Sequence, residues 1–195
     1  MFEEAQVFYS LRMKSRGRSA TSHLALLTGP RHRAALAMFL VIVLGHWAEH
    51  VVQAIQIYAF GWRIPDARGI FGMPFPWLVT SEVMHYAYAL VMLIGLVALR
   101  NGFVGRSRLW WNVSLGIQAW HHVEHLLLLT QAMTGQYLLG RTVPTSIIQL
   151  FVPRVELHLF YNGMVFVPMV VAMYLHWRPT RQERSLMLCT CAGSG

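Results

Sequence analysis

The sequence predicts an all-α, integral-membrane four-helix bundle, built as two duplicated helical hairpins. Three observations predict it. First, 55% of the 195 residues are hydrophobic and only 12% are charged, too apolar a balance for an ordinary soluble domain. Second, four apolar runs, 34–58, 76–99, 109–131 and 154–177, each reach the roughly 20 residues that a helix needs to cross a bilayer. Third, the pattern His-x-x-Glu-His occurs in the first run and again in the third. Backbone polar groups find no water in lipid, so each run is expected to be helix. The chain thus divides into a basic N-terminal segment, 1–33, a transmembrane domain, 34–177, and a C-terminal tail, 178–195. These leave no space for a large separate soluble domain.

The formal charge is +8. In a soluble chain this would suggest nucleic acid, but the placement of arginine explains it otherwise. Arg12, Lys14, Arg16, Arg18, Arg31 and Arg33 precede the first run. Arg100, Arg106 and Arg108 separate the second from the third, and Arg178, Arg181 and Arg184 follow the fourth. The other two connections hold Arg63, Arg68 and Arg141. By the positive-inside rule both termini are cytoplasmic, in a plasma (inner) membrane. The expected partners are the bilayer, a lipophilic small molecule, and an electron donor or membrane subunit; no nucleic acid is expected.

Residues 1–30 are polar and basic, with Phe2, Val7, Phe8 and Leu11 able to line one side of an interfacial helix or to fray. His23 and His32 are expected to be solvated here. The first helix runs outward to about Tyr58 and is followed by a breaker-rich loop containing Gly61, Pro65, Gly69, Gly72, Pro74 and Pro76. Trp62 and Trp77 suit the outer interface, and Trp110 and Trp111 the inner one. The second helix returns inward to Arg100, and Asn101-Gly102 makes the inner turn. The third helix carries the second histidine motif. Pro153 suits the first turn of the fourth helix, and Pro168 should kink it. His176 is expected at the inner interface. Cys189 and Cys191 read as a thiol pair in a disordered tail, since two cysteines make no disulfide framework.

The chemistry lies in the repeat. His46-Trp47-Ala48-Glu49-His50 and His121-His122-Val123-Glu124-His125 are each followed six residues on by a glutamine, Gln56 and Gln131. The second and fourth runs share His-x-x-Tyr, as His85 with Tyr88 and His158 with Tyr161, and Glu82 and Glu156 precede them. Residues i, i+3 and i+4 share one helix face, so His46, Glu49 and His50 point together, as do His121, Glu124 and His125. Glu82 and His85 share a face as well, whereas Glu156 and His158 do not. Arg33 to His46 and Arg108 to His121 are both 13 residues, about 20 Å of helix. The polar groups therefore meet in one layer of the outer half of the membrane. Ionisable groups at such depth are costly unless they pair or bind something.

His46, Glu49, His50, Glu82, His85, His121, His122, Glu124, His125 and His158 are accordingly the candidate metal ligands. Glu49, Glu124 and Tyr161 are the candidate catalytic residues. Imidazole with carboxylate suits iron, zinc, copper or manganese. The boxes resemble those of the histidine-rich integral-membrane di-iron oxygenases, the fatty-acid hydroxylase and desaturase group. His46-x-x-x-His50 matches one of that group's boxes, and His121-His122-x-x-His125 is another written in reverse. The group's boxes face the cytoplasm, whereas this layer faces out. The resemblance implies oxygen-dependent C–H oxidation at two irons. The expectation is thus a membrane metalloenzyme with a two-iron site that oxidises or hydroxylates a lipophilic substrate. Three alternatives stay open: a haem b electron-transfer protein, an intramembrane zinc hydrolase suggested by the similarity of His-x-x-Glu-His to the inverzincin motif, and a metal transporter. Copper and zinc stay open as the metal.

Overall fold

The structure, a computed structural model, describes residues 26–189 and 191. The expectations for Phe2, Val7, Phe8, Leu11 and His23 lie outside the described residues. Among the described residues there is no strand. Four long helices dominate: α1 (His32–Tyr58), α2 (Glu82–Leu99), α3 (Gly105–Thr134) and α4 (Arg154–Trp177). A short helix, α5 (Arg181–Leu186), follows in the tail.

Neighbouring helices are antiparallel. Between α2 and α3, Trp111 Nε1 donates to Leu96 O at 2.7 Å and Gln118 Nε2 to Ala89 O at 3.1 Å. Between α3 and α4, Ser114 Oγ donates to Val165 O at 2.8 Å, and Trp120 Nε1 to Tyr161 Oη at 2.9 Å. α1 closes the square by packing on α2 through His46 and Tyr88, and on α4 through Trp47 and Phe166. α1 and α3 therefore lie diagonally opposite, as do α2 and α4. A hydrophobic core that includes Leu36, Phe39, Met92, Leu96, Trp111 and Met169 fills one half of the bundle.

The bundle is largely apolar outside, and polar side chains share its interior with the hydrophobic core. Met38, Val41, Val91, Ile94, Val123 and Val167 are exposed, while Gln53, Ser114, Gln118, Glu124 and Gln131 are buried. α1, α4 and the stretch Glu82–Gly102 that contains α2 are long and apolar enough to cross a membrane. The expected fourth span does not meet that criterion, although α3 is the longest helix. Its mean hydropathy is lowered by the polar residues that it turns inward. Ser114 and Gln118, for example, are matched by the carbonyls of Val165 and Ala89 on neighbouring helices.

The start of the second helix and the burial of Trp111 differ from expectation. The second helix starts at Glu82, because Ser81 is extended and its side chain accepts from Met84 N, breaking off a turn at Trp77–Thr80. Trp111 is fully buried against Phe103 and Phe39, unlike Trp110, which stays partly exposed where an interface residue was expected. Pro168 lies within α4 without interrupting it.

Three further expectations are overturned at the end where α1 begins and α4 finishes. His32 and His176 are buried there, at 0% and 1% exposure. Their rings pack on each other and on Phe103. Cys189 and Cys191 are buried too. The cause is α5, which Thr180 and Glu183 cap reciprocally and which Glu183 ties to Arg106. The tail is thereby folded back over the helix ends.

Candidate metal centre

Six histidines from all four helices converge: His46 and His50 on α1, His85 on α2, His121 and His125 on α3, His158 on α4. One helical turn brings each i, i+4 pair together. His46 Nε2 lies 3.1 Å from His50 Nε2, and His121 Nε2 lies 3.1 Å from His125 Nε2. Two nitrogens bound about 2.0–2.1 Å from one ion at 90–110° are about 2.9–3.4 Å apart. The observed separation therefore fits a shared ion as well as an N–H···N bond.

His158 is the hub. Its ring centroid is 5.4 Å from those of His50 and His125, and 5.8 Å from those of His85 and His121. Ligand nitrogens of His121, His125 and His158 lie within 4.8 Å of one another, and all three side chains are buried.

The outer ring nitrogens explain how the rings are aimed. His85 Nδ1 donates to Ser81 O at 2.9 Å, and His158 Nδ1 to Arg154 O at 2.7 Å. Both are i−4 carbonyls of the histidine's own helix. His50 Nδ1 lies 3.3 Å from Gln53 Oε1. An oxygen acceptor at Nδ1 places the proton there and leaves the Nε2 lone pair for the interior, the usual arrangement around a metal-bound imidazole. His158 Nε2 is buried with no hydrogen-bond partner. A buried unsatisfied nitrogen is unfavourable, and a cation would satisfy it.

The two carboxylates of the repeated motif have different surroundings. Glu124 Oε1 accepts from Ser146 Oγ at 3.0 Å, while Oε2 has no hydrogen-bond partner and sits 3.9 Å from His121 Nδ1. It is thus placed behind a candidate ligand. Glu49 accepts backbone N–H groups of the loop between α1 and α2, from Ile70 at 2.5 Å and from Phe71. It remains at the rim of a cavity that His46 and His50 also line. Glu82 faces Arg154, with bonds of 2.5 and 2.8 Å, and Glu156 accepts from Tyr58 Oη. His122 stands apart and packs on Tyr86. Tyr161 stacks on His121 at 4.3 Å, as Tyr88 does on His46 at 3.6 Å.

These pairings make the duplication three-dimensional. Gln56 exchanges two hydrogen bonds with the backbone of Gly69, and Gln131 does the same with Thr145. The glutamine that follows each histidine box is therefore the clasp that holds the following loop. Gln118 and Asn162 complete the interior; both line a cavity of about 20 Å³ shared with His46, His85, His121 and His125. Gln118 was legible from its place three residues before His121, on the same face. Two larger cavities, of about 270 and 500 Å³, reach His50 and His85 beneath the outer loops, and the larger also reaches His158.

No family model, curated protein or solved structure matches this chain.

Proposed function

We propose that this chain is an integral membrane metalloenzyme of the plasma membrane. It has four spans and cytoplasmic termini, and its six-histidine centre oxidises a lipophilic substrate. The observation that carries the reading is the convergence of six imidazoles, four of which, His46 and His85 from one hairpin and His121 and His125 from the other, line a cavity of about 20 Å³. That volume suits an ion or a water and offers no slot for a porphyrin, so isolated metal ions are favoured over haem b. The twofold repeat favours two ions. Imidazole without a direct carboxylate suits copper, zinc or iron, and the oxygen-dependent reading favours copper or iron. Glu124 acts behind His121, raising its basicity.

The arginines support the orientation. Arg31, Arg33, Arg100, Arg106, Arg108, Arg178, Arg181 and Arg184 cluster at the end away from the six histidines. α3 counts as the fourth span because its polar face is covered by its neighbours. The cavities of about 270 and 500 Å³ that reach the histidines are lined by both apolar and polar groups, and they suit a membrane-soluble molecule with one polar end. A quinol or another oxidisable lipid fits, with dioxygen as the electron acceptor.

The test is metal analysis with optical and paramagnetic-resonance spectra of the protein in lipid nanodiscs. His46→Ala/His50→Ala and His121→Ala/His125→Ala should each lose about one ion relative to wild type, and the remaining signal should bleach and recover on reduction and reoxygenation. A Soret band, or unchanged metal in both variants, overturns the reading. A single redox-silent zinc would favour the hydrolase instead.

A further inference from the structure

A second group of metal-type ligands lies at the opposite end of the bundle. His46 and His32 are 14 residues apart on α1, about 21 Å of helix. At the far end His176 Nε2 is 3.2 Å from Cys189 Sγ. Ligand atoms of His176, Cys189 and Cys191 all lie within 4.8 Å of one another, and all three residues are buried. Tetrahedral zinc would hold imidazole nitrogen and thiolate sulfur about 3.5 Å apart, and two sulfurs about 3.8 Å apart. The His176–Cys189 pair thus lies a few tenths of an ångström from ligand spacing. His32 lies beside this group, its ring centroid 5.2 Å from that of His176. Its Nδ1 is bound to Leu27 O at 2.9 Å, which leaves Nε2 bare, buried and without a partner.

The fold secures these groups in an otherwise apolar place. Phe103 covers both imidazoles. Gly102 is pressed so closely on His32 that a β-carbon there would sit 2.3 Å from the ring. Two buried thiols and two buried imidazole nitrogens without a hydrogen-bond partner have little reason to be gathered in one place unless something binds them.

We propose that His176, Cys189 and Cys191 form a second metal site, with His32 as fourth ligand, for a thiophilic d¹⁰ cation, Zn²⁺ or Cu⁺. Thiolate with imidazole selects such cations. Binding forms two metal–sulfur bonds and releases the two thiol protons to solvent, with no change in oxidation state. The site is independent of the six-histidine centre, which has no sulfur.

The test uses the full chain in detergent, stripped of metal and titrated with Co²⁺. Thiolate-to-cobalt charge transfer is expected in the wild type, and also in His121→Ala/His125→Ala, which damages only the other centre. His176→Ala should weaken Co²⁺ binding at this band at least tenfold. Competition then separates the cations: displacement by one equivalent of Zn²⁺ assigns zinc, and displacement only by Cu⁺ assigns copper. No charge-transfer band, or a band of equal affinity in His176→Ala, overturns the proposal. The wild type provides a check that needs no variant: one equivalent of the assigned cation should slow alkylation of Cys189 and Cys191 at least tenfold, and an unchanged rate overturns the site.

Discussion

Arg154 reaches across the bundle to Glu82 through two hydrogen bonds, tying α4 to the diagonally opposite α2 at the level of the outer cavity. The same arginine begins the turn whose carbonyl orients His158. Arg154→Met would leave the Glu82 carboxyl, 11% exposed, without its partner. The expected cost is about 2 kcal/mol, below the roughly 3–5 kcal/mol of a fully buried pair because the arginine is itself partly exposed. Thermal unfolding in detergent should show the loss, and Glu82→Gln in the same chain should recover at least half of it. Additive losses would rule out a coupled pair.

Glu49 and Glu124 should part company despite identical motifs. Glu124→Gln weakens the support of His121 and should lower metal affinity by about 10–100-fold, the range for lost outer partners. Glu49→Gln loosens the outer loop at Ile70 and Phe71 and should leave affinity within about threefold of wild type, below that range. Isothermal titration of the stripped variants decides it. Equal, large losses would mean that both carboxylates bind the ions directly.

Gly69 has a left-handed backbone, φ +72°, and a β-carbon there would lie 2.0 Å from Glu49 Oε2. Gly69→Ala therefore combines a backbone cost of about 1–2 kcal/mol with displacement of the Glu49 anchor. The loop between α1 and α2 should become protease-sensitive while the metal is retained. Wild-type resistance to cleavage would mean that the loop is held elsewhere.

The tail should respond to acid. Bonds from Arg106, and from the backbone N–H of Thr180, hold the Glu183 carboxyl down to about 2, against an ordinary value of 4.5. A lowered folded-state value contributes stability that is complete above 4.5 and lost as pH falls toward 2. Hydrogen exchange across residues 181–189, corrected for intrinsic rate, should rise through that window. In Glu183→Gln it should already be high at neutral pH. Flat protection down to pH 2 in the wild type would show that α5 docks without this pair.

Much of this was legible because helical periodicity turns spacing into direction. The two His-x-x-Glu-His boxes, their equal distance from the nearest arginine and the partner histidines His85 and His158 all fall in one layer. The glutamines six residues on were visible, but their purpose was not, since Gly69 and Thr145 lie 13 and 14 residues further along the chain. Sharing a face also says little about which of two neighbours a long side chain chooses. Glu49 and Glu82 lie on histidine-bearing helices yet turn to loop amides and to an arginine, which offer donors that neutral imidazole acceptors do not. The cluster at the other end was hidden for another reason. Its members come from the start of one helix, the end of another and the tail, with no motif between them. The antiparallel order that brings the start of α1 and the end of α4 to one level was the available clue.

The division of the ligands between hairpins bears on how the protein matures. α1 with α2 supplies three imidazoles, and α3 with α4 supplies the other three. On the proposed four-span reading, each hairpin would enter the bilayer as a unit before the two associate, the order of events described for helical membrane proteins. Until they dock, neither half encloses the small central cavity, and His158 lacks His50 and His85 beside it. On the proposed function, acquisition of metal by the six-histidine centre would mark completed assembly, so an apo population in cells would report arrested hairpin docking as readily as scarcity of the ion.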